Sequence, residues 1–391
     1  MAIPVAGQEH AHHEPAAERW WHAGLHGVFM LTHVRNGVGG KPVTEGYLTQ
    51  PTAVAGASVW GGRLTGMATV SLEGLTLERG ELAPGSYGEG YVDRRHPHTY
   101  LHEAVVTLRT PGSDGVSLTA GRGFAPFGTD DPMVRPFVRF PVNHHLGQVL
   151  ERLVLVGAVR RGKVMAEAAL FSGDEPSDPE DLGTPSRSAD SWAVRVTALP
   201  VRGLELQASR AQVESPELPL GGGWNQRKWS ASARLDTPIR AGHLYGLAEW
   251  KRTTELDGSR EVFAFGSVLG ETSLTWRSWT VAARLERSER PEEDRISAYR
   301  TPWPHPELHV LGITRWTIGS ASVQRQLAWR ELRLAPFAET SLAHVGERER
   351  GLFERELVYG RSTIWSASVG ARVGLGDAHS RMGRYGVAAS R

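Results

Sequence analysis

The sequence predicts an all-β protein, a transmembrane antiparallel up-and-down β-barrel of about 14 strands (12 to 16) with an inward-folded loop. Three observations predict it: apolar and polar residues alternating with a period of two, tryptophan opening the apolar face of each such segment, and short turns alternating with long polar loops.

Alternation is the strongest of the three. Trp192, Val194 and Val196 alternate with Ala193, Arg195 and Thr197. Trp229, Ala231, Ala233 and Leu235 alternate with Ser230, Ser232 and Arg234. Trp279, Val281, Ala283 and Leu285 alternate with Thr280, Ala282, Arg284 and Glu286, and Trp365 to Val373 repeats the pattern around Arg372. Successive side chains of a strand point to opposite faces, so each segment has one apolar and one polar face. A soluble β-sandwich alternates too, but fills its core face with Leu, Ile and Phe. Repeated Ala and Gly opposite Arg fits a lipid-facing wall around a polar lumen, and tryptophan at a strand end suits the membrane–water interface. The soluble sandwich or barrel, acting as a binding protein, is the third-ranked alternative.

Turns separate these segments. Thr110-Pro-Gly-Ser-Asp-Gly115 and Pro200-Val-Arg-Gly203 are short, whereas 173–183 and 288–294 are longer, acidic and contain proline. Residues 1–19, with His10, His12 and His13, read as a disordered exported lead, and 20–391 as one barrel domain. Within it 123–150 is too rich in proline for a strand and is expected to fold inward as a constriction loop. The last apolar positions, Tyr385 and Val387, are candidates for the closing strand, unless that strand lies further back.

Composition narrows the function. No run of 18 or more apolar residues exists, which removes a helical span but not a strand-built one. The 44 basic and 43 acidic residues give a net charge of +1, so no electrostatic case for nucleic-acid binding arises. Cysteine is absent, which removes thiolate chemistry and disulfides. Val5-Ala6-Gly7 before Gln8 looks like the tail of a cleavage site, so an export signal is expected to be absent or truncated here.

The densest cluster of chemically active side chains is 93–103. His96 and His98 point the same way if extended, and His98 and His102 share a face on a helical turn. With Glu103, and His144 and His145 from the inward loop, they make a candidate Cu or Zn site. The competing reading is structural: Asp93, Arg94, Arg122, Arg195, Arg234, Arg284 and Arg372 join a lumen network that ties the loop to the wall. Hydrolase chemistry would need Ser117 with His98 or His102, and no Gly-x-Ser-x-Gly elbow is present. The protein is therefore not expected to be an enzyme.

At Asp93-Arg-Arg-His-Pro-His98 the chain resembles a family of uncharacterised Gram-negative outer-membrane barrel proteins. That family carries an Asp-Arg-x-His-Pro-His stretch with a downstream Glu, matched by Glu103. Gly121 to Pro136, His144-His145, Phe171-Ser-Gly-Asp-Glu-Pro176 and the stretch from Asp190 to Pro216 extend the likeness. Some members are linked to copper or heavy-metal resistance, and the resemblance implies a metal role. The expectation is a monomeric outer-membrane barrel, in contact with lipid, that passes small solutes or ions. The alternative is a metal-binding accessory barrel.

Overall fold

A computed structural model describes residues 20–38, 41–76, 99–129, 131–142, 144–176, 179–183, 185–216, 218, 221–293, 310–349, 351–376 and 381–389. The lead at 1–19 lies outside the described residues. Sixteen antiparallel strands form one closed sheet. They are β1 (Trp21–Val38), β2 (Lys41–Val59), β3 (Leu64–Ser71), β4 (Leu101–Arg109), β5 (Gly115–Gly123), β6 (Arg152–Arg161), β7 (Val164–Phe171) and β8 (Ser191–Ala198). The circuit continues with β9 (Leu204–Val213), β10 (Asn225–Ile239), β11 (Gly242–Asp257), β12 (Arg260–Trp276) and β13 (Trp279–Glu293). It ends with β14 (Val310–Arg325, continued by Leu327–Trp329), β15 (Leu332–Glu349) and β16 (Thr363–Gly376). Each strand pairs with its neighbour in sequence, and β1 pairs with β16 from Gly24–Gly376 to Arg35–Trp365, which closes the ring. Closure matters physically because an open edge would leave unpaired N–H and C=O groups in lipid.

The class agrees with the sequence; the strand number is sixteen rather than about 14. The short strands on one side of the barrel explain the difference. In β3 to β7 the inward face carries Val105, Val154, Val156 and Met165, with Met67 packed beside them. There the inward face mixes these with Thr69, Thr107, Ser117, Thr119 and Glu167, so the apolar–polar contrast between the faces that marks a strand is weaker.

Turns at one end of the barrel are short. Two residues link β12 to β13, with Arg277 in the left-handed region (φ 54°), and two link β14 to β15, with Arg330 at φ 55°. The opposite end carries longer connections, among them 124–151, 172–190 and 350–362, and the two-residue link at 258–259.

The burial pattern is inverted relative to a soluble protein. Phe29, Leu31, Leu118, Leu155, Val196, Val281 and Leu285 are exposed, while Arg195, Arg234, Glu249, Glu271 and Arg284 are buried. Trp20, Trp21, Trp60, Trp276, Trp279 and Trp329 form an exposed belt at the short-turn end. Trp192, Trp229, Trp250 and Trp365 form a second belt toward the loop end. Arginines lie on several of these rings, Arg277 on Trp276 at 4.6 Å and Arg210 on Trp229 at 4.7 Å. Phe29 lies midway between Trp21 and the Arg35–Trp365 pair, in the middle of the apolar band. Phe29→Arg is therefore expected to cost about 2–4 kcal/mol of folding stability in lipid vesicles. Equilibrium refolding into those vesicles measures it, and an unchanged or improved stability would mean that this face does not meet lipid.

Candidate functional site

Residues 124–151, between β5 and β6, turn into the lumen and are fastened by the wall's own charges. Glu339 of β15 accepts the amides of Val138 (2.7 Å) and Arg139 (3.2 Å). Glu286 of β13 accepts the amide of Val142 at 2.9 Å. Arg284, paired with Glu271 at 2.6 Å, donates to the Arg139 carbonyl at 2.8 Å and lies 4.3 Å from the Phe137 ring centre. Arg372 of β16 donates to the carbonyls of Arg135 (3.1 Å) and Pro136 (3.2 Å). In return, Arg135 of the loop pairs with Glu249 at 3.1 Å, and Arg139 places its guanidinium among Ser341, Ser366 and Ser368. Proline breaks the segment's own hydrogen bonding, so the wall's carboxylates and guanidinium groups satisfy its backbone.

The loop also carries apolar side chains inward. Met133, Val138, Phe140 and Leu150 pack on Val28, Met30, Tyr47 and Phe337 of the wall. Phe127 and Val149 pack against Val105, Val154, Phe171 and Val213. The lumen is thus polar where it anchors the loop and apolar where it packs it. At the loop end of the barrel, α2 (Arg355–Tyr359; α1 is Glu73–Thr76) sets Tyr359 against Trp316, ring centres 5.2 Å apart, with its hydroxyl on Glu292 at 2.9 Å.

The C-terminal residues are not a strand. After β16 the segment 381–389 packs inside the barrel, so of the two readings Tyr385 and Val387 are not closing-strand positions and the closing strand lies further back, ending at Gly376. Arg381 donates to Glu205 of β9 at 2.6 and 2.8 Å, and Arg384 to the same carboxylate at 3.0 Å. The Gly383 carbonyl accepts from Arg195 at 2.8 Å, and the Val387 amide donates to Ser117 at 3.2 Å. The Tyr385 hydroxyl donates to Glu103 at 2.7 Å and accepts the Phe124 amide at 3.0 Å. Burial, then the neighbouring Glu103 carboxylate, raises this phenol well above its ordinary value, so it stays a donor at neutral pH. Tyr385→Phe removes one donor from buried Glu103, which keeps Thr69, and leaves the buried Phe124 amide without its acceptor. The expected cost is about 1–3 kcal/mol for each partner left unsatisfied, read as a lower thermal unfolding temperature.

Of the residues singled out from sequence, Asp93, Arg94, His96 and His98 lie outside the described residues. His102 is buried, with Nδ1 against the Glu151 carboxylate and its ring 5.1 Å from Phe124. Glu103, its neighbour, points to Tyr385 and to Thr69 at 3.3 Å, so the two do not share a ligand. His144 is buried with its ring 4.8 Å from Phe140; the side chain of His145 lies outside the described part. Among the described residues no group of three or more His, Asp or Glu is placed to hold a metal ion. Ser117 does not meet His102 either. Ser117 is opposite Arg109, seven residues along β4 from His102, which is about 23 Å.

Arg195, Arg284 and Arg372 do join the network around the loop. Arg195 pairs with Glu167 at 2.6 and 2.7 Å and reaches the Gly128 carbonyl at 3.5 Å. Arg234 is inward too, on Asp236 and Tyr245 instead of the loop. Arg122 is a correction. It shares its strand face with exposed Val116 and Leu118, and its guanidinium donates to Leu101 O (2.8 Å) and Thr99 Oγ1 (3.1 Å). It belongs to the loop layer, not to the lumen. Sequence reasoning missed Arg135, Arg139, Glu339, Arg381 and Arg384, whose partners are all remote in the chain. Only the loss of alternation after Gly376 signalled that 381–389 leaves the wall.

A closed sixteen-strand ring, lipid-type outside and charged inside, with a loop folded into it, decides the architecture. The fold is that of outer-membrane porins. The chain is similar to the anion-selective porin from Comamonas acidovorans, with TM-score 0.55 and 11% identity over 91% of this chain and 99% of that one. It is likewise similar to OprB of Pseudomonas putida, with TM-score 0.55 and 11% identity over 91% and 94%. A loop-deleted form of OmpT, an outer membrane protein of Vibrio cholerae, gives 0.51 at 9% identity over 91% and 100%. No protein-family model matches the chain, and no curated protein is significantly similar to it. The porin fold carries over; identity this low carries nothing about the solute.

Proposed function

We propose that this chain is a monomeric outer-membrane barrel with a porin-type pathway for small solutes or ions, held shut by the inward loop and the C-terminal segment, and without catalytic turnover. The observation that carries the reading is a contradiction in the wall. Its inward residues are those of a water-filled pore, Arg195, Glu205, Arg234, Glu249, Glu271 and Arg284, yet all are buried under the loop and the C-terminal segment or against neighbouring wall residues. A static wall has little reason to maintain so many inward charges, since buried ion pairs recover their desolvation cost only with near-ideal geometry. A lumen that admits water when the plug moves does have a reason.

The test is ion conductance of the refolded chain across a planar bilayer. The full chain is expected to be closed most of the time, with brief unitary openings. A barrel silent both as the full chain and without residues 381–391 would overturn the pore reading.

A further inference from the structure

We propose that the outward face of β11 to β15 at the loop-side belt binds the phosphate-bearing headgroup of an anionic membrane lipid. A cleft of about 280 Å³ opens on this face between Trp250, Arg252, Val268, Arg287 and Arg315, with Gly266 leaving its floor without a side chain. These residues are neighbours across the sheet: Arg252 is opposite Gly266, and Val268 is opposite both Trp250 and Arg287.

The charge is unbalanced. Glu289 lies among the arginines, but it is already bound by Arg315 (3.1 Å) and Arg348 (3.1 Å) and accepts the Gly266 amide (3.1 Å). Among the described residues Arg252 has only Glu261 as an ion-pair partner, at 4.0 Å across the surface. Arg287 is exposed and has no ion pair among the described residues. Four guanidinium groups thus face two carboxylates, and the cleft lies beside the two least neutralised. Guanidinium is the side chain best suited to bidentate contact with phosphate.

Depth argues for a lipid over a free anion. Along the outward face of β13 the residues read Trp279, Val281, Ala283, Leu285, then Arg287. From the short-turn belt at Trp279 to Arg287 is about 27 Å along the strand, or about 21 Å along the axis at a tilt of ~40°. That is close to the apolar thickness of an outer-membrane barrel, so Arg287 stands at headgroup level in the loop-side leaflet. Val268 in the cleft wall (56% exposed) and Leu285 below it (72%) offer an apolar strip for acyl chains. The proposal rests on the membrane-spanning reading of the barrel.

The experiment uses the refolded full chain in a neutral detergent, with bisphosphorylated lipid A, its dephosphorylated form and inorganic phosphate as probes. Native mass spectrometry reads the bound adduct, and a heat-modifiable gel band reports the folded barrel. Wild type is expected to retain the phosphorylated lipid at least tenfold better than the dephosphorylated one, and an Arg252→Gln/Arg287→Gln/Arg315→Gln variant to lose that preference. Should the triple variant misfold, Arg287→Gln alone serves, because it removes no ion pair. Equal retention by wild type and variant, or complete displacement of the lipid by an equal concentration of inorganic phosphate, overturns the proposal while leaving the barrel standing. A wild type with no heat-modifiable band overturns the barrel reading and this proposal with it.

Discussion

Removing residues 381–391 is expected to turn a mostly closed barrel into a conducting one, raising open probability tenfold or more in planar bilayers. The wall does not depend on this segment: β1 and β16 are joined along their own length, from Gly24–Gly376 to Arg35–Trp365. What the segment does is occupy space and neutralise charge. Its departure removes Arg381 and Arg384 from Glu205, Tyr385 from Glu103, and Met382 from the apolar cluster formed with Phe124, Met133 and Phe140. Every 1.4 kcal/mol of lost closure is about a tenfold shift in the open-to-closed ratio. A few buried charge-assisted contacts, at about 1.5–3 kcal/mol each, exceed that comfortably. The released carboxylates Glu103 and Glu205 then line the passage, so the opened form is also expected to favour cations relative to the full chain, measurable as a shifted reversal potential in a salt gradient. Openings that still occur, but no more often than in the full chain, would show that the inward loop alone closes the lumen.

The second large effect is expected from Arg195→Ala. This guanidinium touches three parts of the molecule at once: Glu167 of the wall, the Gly383 carbonyl of the C-terminal segment and the Gly128 carbonyl of the inward loop. Its removal leaves Glu167 buried with Arg384, 3.5 Å away, as its remaining ion-pair partner among the described residues, and takes a donor from two carbonyls. Breaking one side of a buried ion pair typically costs about 3–5 kcal/mol. The heat-modifiable transition on gels should fall accordingly, and protease should reach the C-terminal segment first. Arg195→Lys is expected to recover little, since one ammonium cannot span a bidentate carboxylate and two carbonyls. A variant with the wild-type transition temperature would mean that Arg195 is not what holds the plug.

The two results separate. Truncation tests whether the segment blocks the lumen; Arg195→Ala tests what retains it there. Loss of retention without a gain in conductance would place the block in residues 124–151.

Much of this architecture is written in local residue order. The segments around Trp192, Trp229, Trp279 and Trp365 alternate strictly, and all four have the expected face outward. Arg195, Arg234 and Arg284 were legible as inward for the same reason, as was Arg372, since parity along a strand needs no partner. Legibility failed where the inward face mixes apolar with polar residues, as in β3 to β7, and at Arg122, where the strand runs past the lipid band and the outward face is covered by loops. It failed also for the anchors. Glu339 and Arg139 are about 200 residues from each other, and nothing in either neighbourhood announces the other.

By itself, then, the sequence determined the fold class, the face of each well-alternating strand and the presence of a proline-rich segment unable to join the wall. Those are consequences of period-two geometry, turn chemistry and proline's missing donor, all of which act within a few residues. Only the tertiary structure decided that the C-terminal residues turn inward, that Glu205 and Glu103 receive them, and that the outward arginines of β11 to β15 gather around one cleft. Register across a closed sheet sets those neighbours, and it brings together residues that the chain order keeps far apart.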